Sequence, residues 1–95
     1  MAFSVYIMAS ERNGTLYTGS TDDLSRRVWK HRAGARPGFT KKYGVKLLVW
    51  HEQHETREAA KWREHAIKKW NRVWKLELIE KTNPGWRDLY ESLGA

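Results

Sequence analysis

The chain has 95 residues, with 18 Lys+Arg against 11 Asp+Glu for a net charge of +7, 40% hydrophobic residues and no cysteine. That composition supports one small domain spanning 1–95, whose elements taken in order below read as α+β, and excludes disulfides, thiolate metal sites and cysteine nucleophiles. No stretch approaches the ~20 apolar residues of a membrane span, and the run from Phe3 to Ala9 lacks the flanks of a signal peptide, so a soluble, cytoplasmic protein is expected.

Phe3 to Ala9 and Thr15 to Thr21 are short β-type runs joined through Asn13-Gly14, a pair that accepts the positive φ of a tight connection, and they read as a hairpin. Thr21 or Asp22 is the expected N-cap of a helix in which Leu24, Arg27, Val28 and His31 share a face and which Gly34 ends. Ala33 to Gly44 reads as a basic loop with one short turn around Thr40 to Tyr43. Val45 to His51 follows as a third strand, apolar on both faces and therefore covered on both sides. Thr56 caps the next helix, with Ala59, Ala60, Trp62, Ala66, Ile67 and Trp70 as its apolar stripe. A further helix covers Val73 to Lys81, and Asn83-Pro84-Gly85 breaks the chain before a helical extension at about 84–93 with Trp86, Leu89, Tyr90 and Leu93 inward. The order is β-β-α-β-α-α.

The charge is unevenly placed. Between Asp23 and Glu52 no acid occurs, while Arg26, Arg27, Lys30, Arg32, Arg36, Lys41, Lys42 and Lys46 all fall there. Such a stretch is either a solvated face or the footprint of a polyanion, for which nucleic acid is the default. Arg26, Lys30, Arg36, Lys41 and Lys42 are the candidate nucleic-acid contacts.

Tyr6 and Tyr17 face each other directly if residues 6 and 17 pair across the hairpin; another register places them diagonally or on opposite faces. They form a cross-strand aromatic pair or a pair of hydroxyls able to orient a phosphate or a water. Arg27 projects toward a core-facing stripe, where a guanidinium needs an anion or a carbonyl unless it reaches out to water, and His31 projects beside it. Glu64 borders the apolar stripe of its helix near Ala60, Ile67 and Asn71. It serves there as a salt-bridge partner of Lys61, Lys68 or a helix-1 arginine, or as the single carboxylate of a magnesium-type ion. His51-Glu52-Gln53-His54 has its histidines three apart at a strand end, the wrong spacing for a zinc-protease helix. Trp70, Trp74 and Trp86 fall on inward positions, whereas Trp29 lies outside among cations.

Taken together, Ser4-Val5-Tyr6, Tyr17-Thr18-Gly19, the Leu24, Arg27, His31 spacing, Glu64 within Arg63 to Trp70, and Asn83-Pro84-Gly85-Trp86-Arg87-Asp88-Leu89 resemble the GIY-YIG nuclease superfamily, in its small stand-alone bacterial form. The resemblance implies a three-stranded antiparallel sheet flanked by helices and metal-dependent endonuclease activity on DNA of low sequence specificity, with one Mg2+ or Mn2+ as cofactor. It further implies Glu64 as the metal ligand, Tyr17 or Tyr6 orienting or deprotonating water, Arg27 stabilising transition-state charge and His31 carrying a proton. The departures are Ser4 for the first glycine, Val5 and Thr18 for isoleucines, and no clear match for a downstream asparagine, since Asn71 is only seven residues past Glu64. The competing expectations are a nucleic-acid-binding module without turnover and, less favoured, a protein-interaction domain using Trp86 to Leu93. A bare domain of this kind is expected to have low sequence specificity unless a protein partner supplies the targeting.

Overall fold

Three antiparallel strands, β1 (Phe3–Ala9), β2 (Leu16–Thr21) and β3 (Leu47–His54), form one sheet in the order β2-β1-β3. The helices are α1 (Leu24–Ala33), the single-turn α2 (Phe39–Lys42), α3 (Arg57–Lys69) and α4 (Arg72–Thr82), followed by a 3-10 turn at Leu89–Leu93. The structure is a computed structural model describing residues 2–34 and 38–93. It is an α+β arrangement in the expected order, with α2 set into the basic loop. Among the described residues no helix is long and apolar enough to cross a membrane.

Central strand β1 is buried from Ser4 to Ala9 because both faces of the sheet are covered. Val5, Ile7 and Ala9 pack with Val49 and Trp50 beneath Ala60 and Ile67 of α3, Ile79 of α4 and Trp86. On the opposite face Tyr6 and Met8 pack with Val28 of α1, Val45 and Leu48, and Leu89, Tyr90 and Leu93 close over them. The alternation along β1 therefore sends its residues alternately into two small cores.

Local chemistry sets the boundaries. The N-cap of α1 is Asp23, one or two residues later than expected, and its side chain accepts from Arg26 N. Thr21 ends β2, and its hydroxyl accepts from Asp23 N at 3.1 Å, turning the chain into the helix. Gly34, at φ 63°, closes α1 in the left-handed conformation that glycine adopts without strain. Thr56 caps α3 by accepting from Ala59 N. Strand β3 begins at Leu47 and continues to His54, beyond the expected end at His51, because its polar half pairs with Phe3, Ser4 and Val5. An irregularity in the β1–β3 register between Ile7 and Met8 lets Val49 and Trp50 share one core.

Two apolar expectations fail. Trp62 is 80% exposed and Ala59 is also exposed. Trp62 lies roughly 200° around the helix from buried Ala60, at about 100° per residue, so it cannot share that face. Trp74 is 54% exposed and meets Trp70 edge-on, with ring centroids 6.1 Å apart, so only Trp86 of the three expected inward tryptophans is fully in the core.

Candidate active site

The β1–β2 register pairs Tyr6 with Gly19 and Met8 with Tyr17. The tyrosines are thus diagonal neighbours on one face, with ring centroids 6.2 Å apart, and do not sit directly opposite. The register leaves Tyr6 facing a residue without a side chain, and its phenol lies over that gap. A Cβ on Gly19 would stand 2.7 Å from the Tyr6 hydroxyl oxygen and 2.8 Å from Cζ. Gly19 therefore lets the Tyr6 hydroxyl extend across edge strand β2 toward the sheet margin.

Helix α1 covers this face with Arg27 and His31, one turn apart. The His31 ring lies tilted against both phenols, its centroid 5.1 Å from that of Tyr17 and 6.0 Å from that of Tyr6, and its Nε2 lies 3.1 Å from the Tyr6 hydroxyl oxygen. Burial, followed by the charge of Arg27, holds His31 below the usual imidazole pKa, so it is neutral at pH 7. Burial, followed by Tyr17, drives the Tyr6 phenol far above the usual tyrosine range; the Arg27 charge and hydrogen bond only partly oppose this, and Glu64 adds to the rise. A protonated Tyr6 hydroxyl donating to Nε2 of neutral His31 satisfies both shifts. Arg27 takes part in none of the ion pairs among the described residues.

Glu64 comes from the other side of the sheet. Ser20 pairs with Val5 and so points toward α3, opposite to Tyr6 and Gly19. Its hydroxyl donates to Glu64 Oε1 at 2.5 Å, and Lys68 Nζ donates to Oε2 at 2.5 Å. The salt bridge to Lys68 is one of the two roles expected for this carboxylate. Burial, the largest influence, raises the Glu64 pKa, but the bonds from Lys68 and Ser20 and the charges of Lys68 and Lys61 outweigh it and leave the group below its ordinary value. Glu64 is thus ionised, with a side chain 17% exposed.

Because β2 is an edge strand, side chains from both faces meet around its margin. A cleft of about 140 Å³ there is lined by Ser20 and Thr21 of β2, Arg27 of α1, and Arg57, Ala60 and Lys61 of α3, with Phe3 and Asp22. Tyr6, Tyr17 and His31 form one cluster, Arg27 hydrogen-bonds Tyr6 and also lines the cleft, and Glu64, which is not among the residues lining the cleft, is tied to its wall through Ser20. Among the described residues no group of three or more His, Cys, Asp or Glu side chains comes together. One ionised, largely shielded carboxylate beside an arginine cleft is nonetheless a fitting donor set for a hard divalent ion that keeps most of its own waters. Asn71 does not join it: α3 ends at Lys69, and the Asn71 side chain caps α4 by accepting from Trp74 N at 2.9 Å.

Of the expected nucleic-acid contacts, Arg26 and Lys30 line a larger cleft of about 430 Å³ with Thr21, Asp22, Asp23 and Arg27. Lys41 and Lys42 lie exposed on α2, while Arg36 lies outside the described residues. Sequence reasoning missed Arg57 and took Lys61 only as a partner of Glu64, not as a cleft residue; both interleave with Glu55 and Glu58 and so fall outside the acid-free stretch. Their signal was the spacing of Arg57, Lys61, Glu64 and Lys68 along one side of α3. His51, from the tetrapeptide without zinc-protease spacing, pairs with Tyr6 in the β1–β3 ladder, and burial lowers its pKa.

The family model described as the GIY-YIG catalytic domain matches residues 2–77. The chain belongs to the GIY-YIG nuclease superfamily. UPF0213 proteins of Staphylococcus aureus strains Mu3 and MW2 are each 41% identical over 76 residues, covering 80% of this chain and 92% of theirs. The solution NMR structure of the UPF0213 protein BH0048 from Bacillus halodurans superposes with a TM-score of 0.57 at 30% identity, over 93% of each chain. Tyr6, Tyr17, Arg27, His31 and Glu64 all lie within the matched GIY-YIG segment, as do the residues that replace the usual tripeptides. Thr18 stands where that pattern has isoleucine and is buried on the α3 face opposite Ile7, a position that a β-branched side chain suits.

Proposed function

We propose that this GIY-YIG domain is a divalent-metal-dependent endonuclease that hydrolyses phosphodiester bonds in DNA. The observation that carries the reading is the presence of two unlike groups at the β2 margin: Arg27, which lines the cleft there and has no carboxylate partner among the described residues, and Glu64, an ionised and shielded carboxylate bonded to Ser20 of the same cleft. Glu64 would hold Mg2+ or Mn2+, which when bound supplies Lewis-acid polarisation of a phosphoryl oxygen. Arg27 clamps the phosphate and balances the negative charge that grows in the transition state. Tyr17, half-buried where Tyr6 is fully buried, orients the attacking water. The protonated Tyr6 hydroxyl holds Nε2 of His31, and neutral His31, with its ring centroid 5.1 Å from that of Tyr17, is the terminal acceptor of the water's proton.

The experiment is cleavage of plasmid, single-stranded, branched and RNA substrates with Mg2+ or Mn2+ by wild type, Glu64→Ala and Arg27→Ala. Each substitution is expected to lower the rate by about a hundredfold or more, the scale on which removing one transition-state charge partner acts, and EDTA should abolish cleavage. Equal activity in all three proteins contradicts the reading. Salt-sensitive binding with no cleavage under any condition identifies a binding module that keeps the fold without turnover.

A further inference from the structure

Each oxygen of Glu64 already has a partner, and the two partners differ in kind. Ser20 belongs to the sheet: it is half-buried on β2, next to buried Gly19 and Thr21, and its hydroxyl meets Oε1 from a backbone fixed by pairing with Val5. Lys68 belongs to the same helix as Glu64, one turn on. Its side chain is 48% exposed, and it meets Oε2 through a flexible stem. A hydroxyl donor adds no net charge and leaves the remaining lone pairs of the carboxylate available. An ammonium occupies the electrostatic position a metal ion would take, and an exposed i,i+4 pair is weak enough to exchange.

We infer that Ser20 is the fixed positioning residue of Glu64 and that Lys68 is a resident counter-cation, which holds Oε2 in the metal-free protein and yields it when a divalent ion binds. This inference rests on the reading of Glu64 as the metal ligand. Loading then costs one exposed ion pair, while the Ser20 bond persists and keeps the carboxylate aimed at the β2 margin. Once released, the Lys68 ammonium has an exposed stem with which to meet a phosphate oxygen instead.

The two partners make opposite predictions for the same carboxylate. The test is a titration of the protein with Mg2+ alone, followed by 15N–1H chemical shifts of residues 60–68, with the spectra themselves reporting that each variant is folded. Ser20→Ala should weaken Mg2+ binding about tenfold, the scale of one lost hydrogen bond to a charged group, and Ser20→Thr, which keeps the hydroxyl, should restore it. Lys68→Gln should tighten binding roughly two- to fivefold, the scale of an exposed helical ion pair. Lys61→Gln removes a charge that also reaches Glu64 but makes no bond to it among the described residues, and should tighten binding less. Unchanged or weaker binding in Lys68→Gln, or unchanged binding in Ser20→Ala, overturns the inference while Glu64→Gln abolishes the Mg2+-dependent shifts. If Glu64→Gln binds Mg2+ like wild type, the metal reading of Glu64 itself fails and the inference falls with it.

Discussion

At the scale of single residues, the site depends on one missing side chain. Gly19 has no unusual backbone angle; what it provides is room for the Tyr6 ring to cross β2. Gly19→Ala would drive a methyl group into the Tyr6 hydroxyl and Cζ, and neither the buried ring nor the paired strand can yield cheaply. The expected result is a loss of about 1–3 kcal/mol in urea denaturation, the usual cost of overpacking, together with reduced cleavage as Tyr6 leaves His31. A second residue-scale expectation concerns pH. The imidazole of His31 must be neutral to accept a proton, and its pKa lies below the ordinary 6.5. The cleavage rate constant should therefore rise with pH and level off above an apparent pKa lower than 6.5, as read from a pH–rate profile. His31→Gln should be slower and should lose that inflection.

At the scale of elements, the site exists because β2 is an edge strand. A central strand would separate Tyr6 from Glu64, whereas at the margin α1 and α3 each lean past β2 and contribute to one cleft. The elements themselves were legible in the sequence, because each carries local punctuation: Asn13-Gly14 for the hairpin, Gly34 and Thr56 for helix ends, and the apolar run in β3. What could not be read locally was register and direction. The diagonal offset of Tyr6 and Tyr17 and the position of His51 beside Tyr6 follow from pairings that the alternation pattern leaves open by steps of two residues, whereas the exposure of Trp62 follows from its angle to Ala60 around α3. Ser20 was unreadable for the same reason, since its role appears only when α3 lies across the sheet. Asn83 shows how the C-terminal segment is fixed: its buried side chain donates to Val49 O and Arg87 O and accepts from Arg87 N. Asn83→Ala leaves the Val49 carbonyl without this donor and should cost about 1–3 kcal/mol in urea denaturation, freeing the Trp86 to Leu93 segment from the sheet.

At the scale of the whole molecule, part of the positive charge lines two clefts that share Arg27. Arg26, Arg27 and Lys30 of α1 line one, Arg27 with Arg57 and Lys61 of α3 the other, and Lys41 and Lys42 lie exposed on α2. If Lys41 and Lys42 contact phosphates, replacing both with alanine should weaken DNA binding similarly across sequences. It should also reduce the slope of log K against log salt by up to about 1.8, at about 0.9 per phosphate contact. A slope identical to wild type would remove α2 from the interface. The central claim, that Glu64 acts in the chemical step and does not merely support the fold or the binding surface, is tested most directly by single-turnover cleavage of plasmid DNA at saturating protein and Mg2+. Wild type and Glu64→Gln should bind DNA with similar affinity, and the cleavage rate constant of the variant should fall by about a hundredfold or more. Equal rate constants for the two proteins would contradict the account.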